Sequence, residues 1–164
     1  MIRIALLAAI LAVAAFPGLP AGPAMAENPS DRVITFDAED PEMNAAIQKA
    51  RDRLPLFWQV FRDRPPGTSD FSLKVAIADD NGVEHFWAGD IQLSEGVISA
   101  VIANDPVVVK SVVFGQRIEV PEPDISDWMF VRNGKIVGGE TLRVMLGRMT
   151  PEERAQYQVE FEDP

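Results

Sequence analysis

The chain has 164 residues with no cysteine and a single histidine, and its 25 acidic and 15 basic side chains give a formal net charge of −10. Without thiols there can be no disulfide, no lipid attachment through cysteine and no thiolate metal site. A surface this acidic repels phosphate backbones and anionic headgroups, which argues against nucleic acid as a partner.

The first 26 residues have the layout of a secretory leader: Arg3, then the apolar run Ile4 to Phe16, then Ala24-Met25-Ala26 as a small-residue cleavage motif. That run is shorter than the roughly 20 residues a spanning helix needs. The expectation is a periplasmic or secreted chain, cleaved after Ala26, with no stable membrane insertion afterwards. Arg3 is the only charged residue of the leader, so the mature net charge is −11. Residues 27–39 form an N-terminal segment with one short β-prone stretch, Val33 to Phe36.

Asp40-Pro41-Glu42 is a helix start: an N-capping Asp, Pro at the first helical position and an acidic first turn. Met43, Ala46, Ile47, Ala50 and Leu54 form its apolar stripe. Pro55 interrupts that stripe and Phe57, Trp58 and Phe61 resume it, which predicts one helix kinked near Leu54 or two in series. Phe71 to Ala78 alternates as a half-buried strand, with Phe71, Leu73, Val75 and Ile77 facing inward and Lys74 on the other side. Strands over Val83 to Leu93 and Val97 to Ile102 follow, joined by Asp79-Asp80-Asn81-Gly82 and Ser94-Glu95-Gly96 turns into an antiparallel meander.

Residues 106–114 carry valines that favour a strand, but Asp105-Pro106 and Gly115 punctuate them like a helix, and one or two helical turns are expected. Gln116 to Val120 reads as a strand. Asn133-Gly134 then joins two apolar runs as a type I′ hairpin, and Gly138-Gly139 permits a bulge or close backbone approach. Leu142, Met145, Leu146 and Met149 mark an amphipathic helix with Thr141 as its N-cap. Thr150-Pro151-Glu152-Glu153 is a capping box for a last short helix, and residues 159–164 are an acidic tail. The fold class expected is α+β: a curved antiparallel sheet of about five or six strands in one domain over 40–158, packed by the Asp40 and Thr141 helices.

Met43 to Trp58, Phe71 to Trp87, Asn104-Asp105-Pro106, Ile125 to Phe130 and Gly134 through Arg143 together resemble the YegJ-type uncharacterised bacterial domain family. The resemblance spans nearly the whole mature chain. It implies a small α+β domain and brings no catalytic residue with it.

His85 bears most of the chemical possibilities. On a regular strand it shares a face with Val83, Trp87, Ile91 and Leu93, while Glu84 points the other way, so the two cannot chelate one metal. No second histidine or cysteine completes a zinc set, and no motif for a cofactor is present. Ser126 and Asp127 alternate in direction and could both reach His85 only at a bulge or strand end. Gly-x-Ser-x-Gly is absent. Asp127 is read as an acceptor for backbone N–H groups near the Trp128 strand. Three functions follow. The first is a non-catalytic binding or interaction module of the bacterial envelope, recognising a protein or small molecule, with Trp87, Asn104, Trp128, Thr141 and Arg143 as binding candidates. The second is a small hydrolase with His85 and Asp127 as general base, helped by Glu84 or Thr141. The third is a periplasmic stress or inhibitor protein that recognises another protein through an open sheet edge.

Overall fold

The computed structural model describes residues 2–5, 33–36 and 40–163. Most of the expected leader and its cleavage motif, in 6–32, lie outside the described residues. In chain order the elements are β1 (Ile2–Ala5), β2 (Val33–Phe36), α1 (Pro41–Asp52), α2 (Leu54–Asp63), β3 (Thr68–Asp79), β4 (Gly82–Ser94), β5 (Val97–Ile102) and β6 (Arg117–Glu119). They continue with β7 (Ile125–Arg132), β8 (Lys135–Gly138), α3 (Glu140–Gly147), α4 (Pro151–Ala155) and β9 (Phe161–Glu162).

The fold is α+β, and its sheet has more strands than the five or six expected. The central path runs β1, β4, β3, β7, β8, β9, with β5 and β6 continuing from the far half of β4. Most pairs are antiparallel; β1 with β4 and β8 with β9 are parallel. The acidic tail is therefore not wholly free, because Phe161 and Glu162 add a last strand beside Ile136 and Val137.

Pro55 separates two helices in series. Asp40 caps α1 by accepting the N–H groups of Glu42 and Met43, while α2 ends in a left-handed Arg64. One sheet face carries Leu73, Val75, Trp128 and Phe130, buried against Ala50, Leu54, Phe57 and Trp58. Phe71 stacks on Phe130 and meets Phe57 edge-on, geometries favoured by the ring quadrupole. The opposite face buries Trp87 beneath Met43, Leu142, Met145 and Leu146.

Bulges correct two expectations. A register shift between Gly89 and Gln92, with Asp90 at φ 44°, re-aims β4 so that Ile91 joins the core of Phe71 and Leu73 rather than the His85 face. A second shift opposite Lys74 and Val75 leaves Ser126 as the extra residue of β7. In the hairpin, Asn133 and Gly134 have φ of 50° and 82°, as a type I′ turn requires. At Gly138, φ is 83° and a Cβ would stand 2.4 Å from the Trp128 carbonyl oxygen, so only glycine fits.

The helical expectation for 106–114 fails: the stretch is irregular. Its N–H groups are spent on side-chain carboxylates instead of on carbonyls one turn back. Glu84 accepts from Val107, Val108 and Val109, and Asp79 accepts from Lys110 and Ser111. Five consecutive donors so engaged cannot bond carbonyls one turn back, as a helix through 107–111 would require. The same bonds hold the Asp79 carboxyl below its usual range, with Lys110 N–H the leading cause.

Candidate functional site

The polar residues gather on the sheet face under α3. β3 and β7 place Lys74 opposite Asp127, and β3 and β4 place Lys74 opposite Trp87. All three therefore point to one side. Lys74, assigned by alternation to the outer face, is 1% exposed. The outer face of β3 is a second interior, because the apolar stripe of α3 covers it.

Asp127 is the anchor. Its Oδ1 accepts the N–H groups of Trp128 (2.8 Å) and Glu140 (3.2 Å), and its Oδ2 those of Thr141 (2.8 Å) and the Thr141 hydroxyl (2.6 Å). Helix α3 thus begins at Glu140, behind a left-handed Gly139 with no side chain to offer, and takes its cap from a neighbouring strand. This corrects the assignment of Thr141 as N-cap: it sits inside the first turn and donates to the residue that caps. A carboxylate here also meets the positive end of the helix. Lys74 Nζ completes the chain by donating to Thr141 Oγ1 at 2.9 Å and lies 5.5 Å from the centre of the Trp87 ring.

Electrostatics follow from burial. Desolvation pulls the Lys74 ammonium down to about 8, opposed by the charge of Asp127. Desolvation likewise raises the Asp127 carboxyl, opposed by Lys74 and by the bonds from Thr141 and Trp128. His85 is lowered to about 4 by burial first, then by repulsion from Lys74 and Arg51. At neutral pH the imidazole is uncharged.

His85 and Asp127 do not pair. The His85 Nδ1 meets Ser126 Oγ at 2.8 Å, and that hydroxyl also lies 3.2 Å from the Lys74 carbonyl oxygen. The bulge in β7 brings Ser126 round to the histidine, while Asp127 turns to α3. Glu84 is on the opposite face, enclosed by the 107–109 N–H groups. Trp128 is buried and donates its Nε1–H to the Ala50 carbonyl at 2.8 Å. Asn104 accepts the Trp87 N–H at 2.9 Å, and its buried Nδ2 has no partner among the described residues. Trp87, Asn104, Trp128 and Thr141 are all buried. No group of three His, Cys, Asp or Glu side chains suited to a metal occurs among the described residues.

Arg143 is placed differently. Its Nε donates to the Gly138 carbonyl and its Nη2 to that of Glu162, and the guanidinium lies 4.4 Å over the Phe161 ring. It lines an open groove of about 800 Å³ between α3, α4 and the C-terminal strand, floored by Leu146, Val159 and Phe161 and reached by Arg154. Arg154 has no ion-pair partner among the described residues.

Sequence reasoning missed Lys74 and Glu140, whereas Ser126 reaches His85 at a bulge, the one geometry the sequence allowed for it. Glu140 is buried at the start of α3 and paired with Lys49 (2.8 Å) and Arg53 (3.5 Å) of the α1 end. The available signal for Lys74 was the α3 stripe, which needs an apolar surface to cover and finds it around Trp87.

A family model described as an uncharacterized protein conserved in bacteria (DUF2314) matches residues 40–161. The chain belongs to this family. Among its relatives is the uncharacterized protein YegJ of Escherichia coli (strain K12), 37% identical over 124 residues, which are 76% of this chain and 80% of YegJ. The putative ankyrin repeat protein NMB1133/NMB1171 of Neisseria meningitidis serogroup B is 36% identical over 147 residues, 82% of this chain and 58% of that longer protein. No solved structure matches the chain. The matched DUF2314 region contains Lys74, His85, Ser126, Asp127, Glu140, Thr141, Arg143 and Arg154.

Proposed function

We propose that this DUF2314 chain is an exported, non-catalytic binding module of the bacterial envelope, and that it binds in the groove beside α3 and α4. One observation carries the reading: the polar groups that could do chemistry are consumed inside the domain, whereas the groove offers apolar side chains, Arg154 and the Lys135-paired Glu160 to solvent. Asp127 spends four acceptor bonds on α3 and its own strand, His85 is turned to Ser126, and Lys74 is tied to Thr141. A general base must reach a substrate proton, and these groups face one another.

Leu146, Val159 and Phe161 with Arg154 suit a small ligand that has an apolar body and an anionic end. The volume is that of an ordinary small-molecule site. Export is read from the Arg3, Ile4 to Phe16 and Ala24-Met25-Ala26 layout.

Titration of the protein with laurate, followed by calorimetry, tests the reading. Saturable binding that weakens at least tenfold in Arg154→Glu, with the fold unchanged by circular dichroism, is expected. Equal binding by both proteins, or none, removes the groove from the account.

A further inference from the structure

The first half of β4 is flanked by the body of the domain on one side only. β5 pairs with β4 from Ala88 onward. At Trp87 the pairing ends, with Ala103 N–H donating to the Trp87 carbonyl and Trp87 N–H donating to Asn104 Oδ1, both at 2.9 Å. Main-chain direction alternates along a strand, so the N–H and C=O of His85 and Val83 point to this same open side.

What stands there is β1, parallel to β4, with Arg3 opposite Glu84 and Ile4 opposite His85. β1 is itself backed by antiparallel β2, with Ile4 opposite Ile34 and Arg3 opposite Thr35. Residues 2–5 lie wholly inside the expected leader. Cleavage after Ala26 removes that strand and leaves two unpaired edges, β4 and β2, separated by its width.

We infer that in the exported chain Val33–Phe36 moves across by one strand and pairs directly with β4, so that this edge is a docking slot for the chain's own N-terminal segment. The inference rests on the export reading. Because β2 is antiparallel to β1 and β1 is parallel to β4, β2 already runs antiparallel to β4. Translation suffices, without reversal. Combining the two registers places Ile34 opposite His85, Thr35 opposite Glu84 and Phe36 opposite Val83. One strand spacing is about 4.8 Å. Three residues, 37–39, separate Phe36 from Asp40, and each spans up to about 3.3 Å when extended, so the step is within reach. An edge left open would otherwise template pairing with another chain.

The test uses the complete gene, leader included, expressed in a bacterium and recovered from the periplasm. Phe36→Cys and Val83→Cys are introduced together into the otherwise cysteine-free chain. Facing residues of an antiparallel hydrogen-bonded pair have Cα atoms about 5.5 Å apart, inside the range a disulfide bridges. The expected result is a processed chain starting at Glu27, by intact mass, with an intramolecular disulfide that is absent when Ser94→Cys replaces Val83→Cys. A processed, folded chain without the link overturns the inference. So does a disulfide dimer of Val83→Cys alone, which would give the edge to a second copy. An intact mass of the full 164 residues overturns the export reading and the strand movement with it. Amide exchange on the processed wild type gives a second reading: slow exchange at Ile34 and His85 is expected, and fast exchange at either refutes the pairing.

Discussion

At Asp127 a single side chain does what several residues do elsewhere: it caps a helix, neutralises a buried ammonium and pins a strand to the helix that follows. Asp127→Ala leaves the Lys74 charge without a counter-charge and strips the N–H groups of Glu140 and Thr141 of their acceptor. The expected cost is about 3–5 kcal/mol in urea unfolding, the range for leaving a buried charge uncompensated. Lys74→Met should cost less, because Asp127 keeps its backbone donors. The order of the two variants checks the assignment of Asp127 as anchor.

His85 adds a pH dependence of definite sign. Its folded pKa, about 4, lies below the ordinary imidazole value of 6.5, so the unfolded chain binds the extra proton first. The contribution is complete above pH 6.5 and is lost as pH falls towards 4, to a total of about 3 kcal/mol. His85→Ala should flatten the stability profile across that window. A wild-type profile no steeper than the variant's would contradict burial of the neutral ring.

The irregular segment after β5 shows how elements are chosen by competition for donors. Residues 106–114 contain helix punctuation and strand-forming valines, and they adopt neither structure because Glu84 and Asp79 offer stronger acceptors. Glu84→Gln removes the charge from a buried acceptor of three N–H groups. A loss of about 2–3 kcal/mol is expected, by analogy with charged hydrogen bonds, with faster amide exchange at Val107, Val108 and Val109. Unchanged exchange there would mean that the loop is held by Phe86, Ile102, Val109 and Val112 packing alone. At the β8–α3 junction, Gly138→Ala forces a Cβ against the Trp128 carbonyl and ring. It should cost at least about 2 kcal/mol through strain at positive φ and displaced core packing.

These elements also show where the sequence is legible. The Asp40 cap, the Pro55 break, the Asn133-Gly134 turn and the Thr150 capping box are local devices, and all four appear where their chemistry puts them. The bulges at Gly89–Gln92 and at Ser126 depend on what the neighbouring strand does. They moved Ile91 to the other face and turned Ser126 to His85. Lys74 was misplaced for a related reason: alternation tells which side a residue takes, and only the apolar stripe of α3 says that this side is covered.

For the whole molecule, both faces of the sheet are covered by helices. The central sheet is an interior on both sides, and the Lys74–Thr141–Asp127 chain ties α3 to it. The groove beside Arg143 and Arg154 and the edge of β4 lie outside that interior, and the two proposals are placed there. Neither was legible from residue spacing. The groove is assembled from α3, α4 and a two-residue strand, and the edge is defined by where β5 stops pairing.

The central claim, that the lone imidazole belongs to the interior, is tested most directly by following its proton resonances through a pH titration. With one histidine in the chain, the signal needs no assignment by mutation. The account predicts a midpoint near 4 in the folded protein. A midpoint at or above 6.5, with the fold intact, would show a ring open to solvent and contradict it.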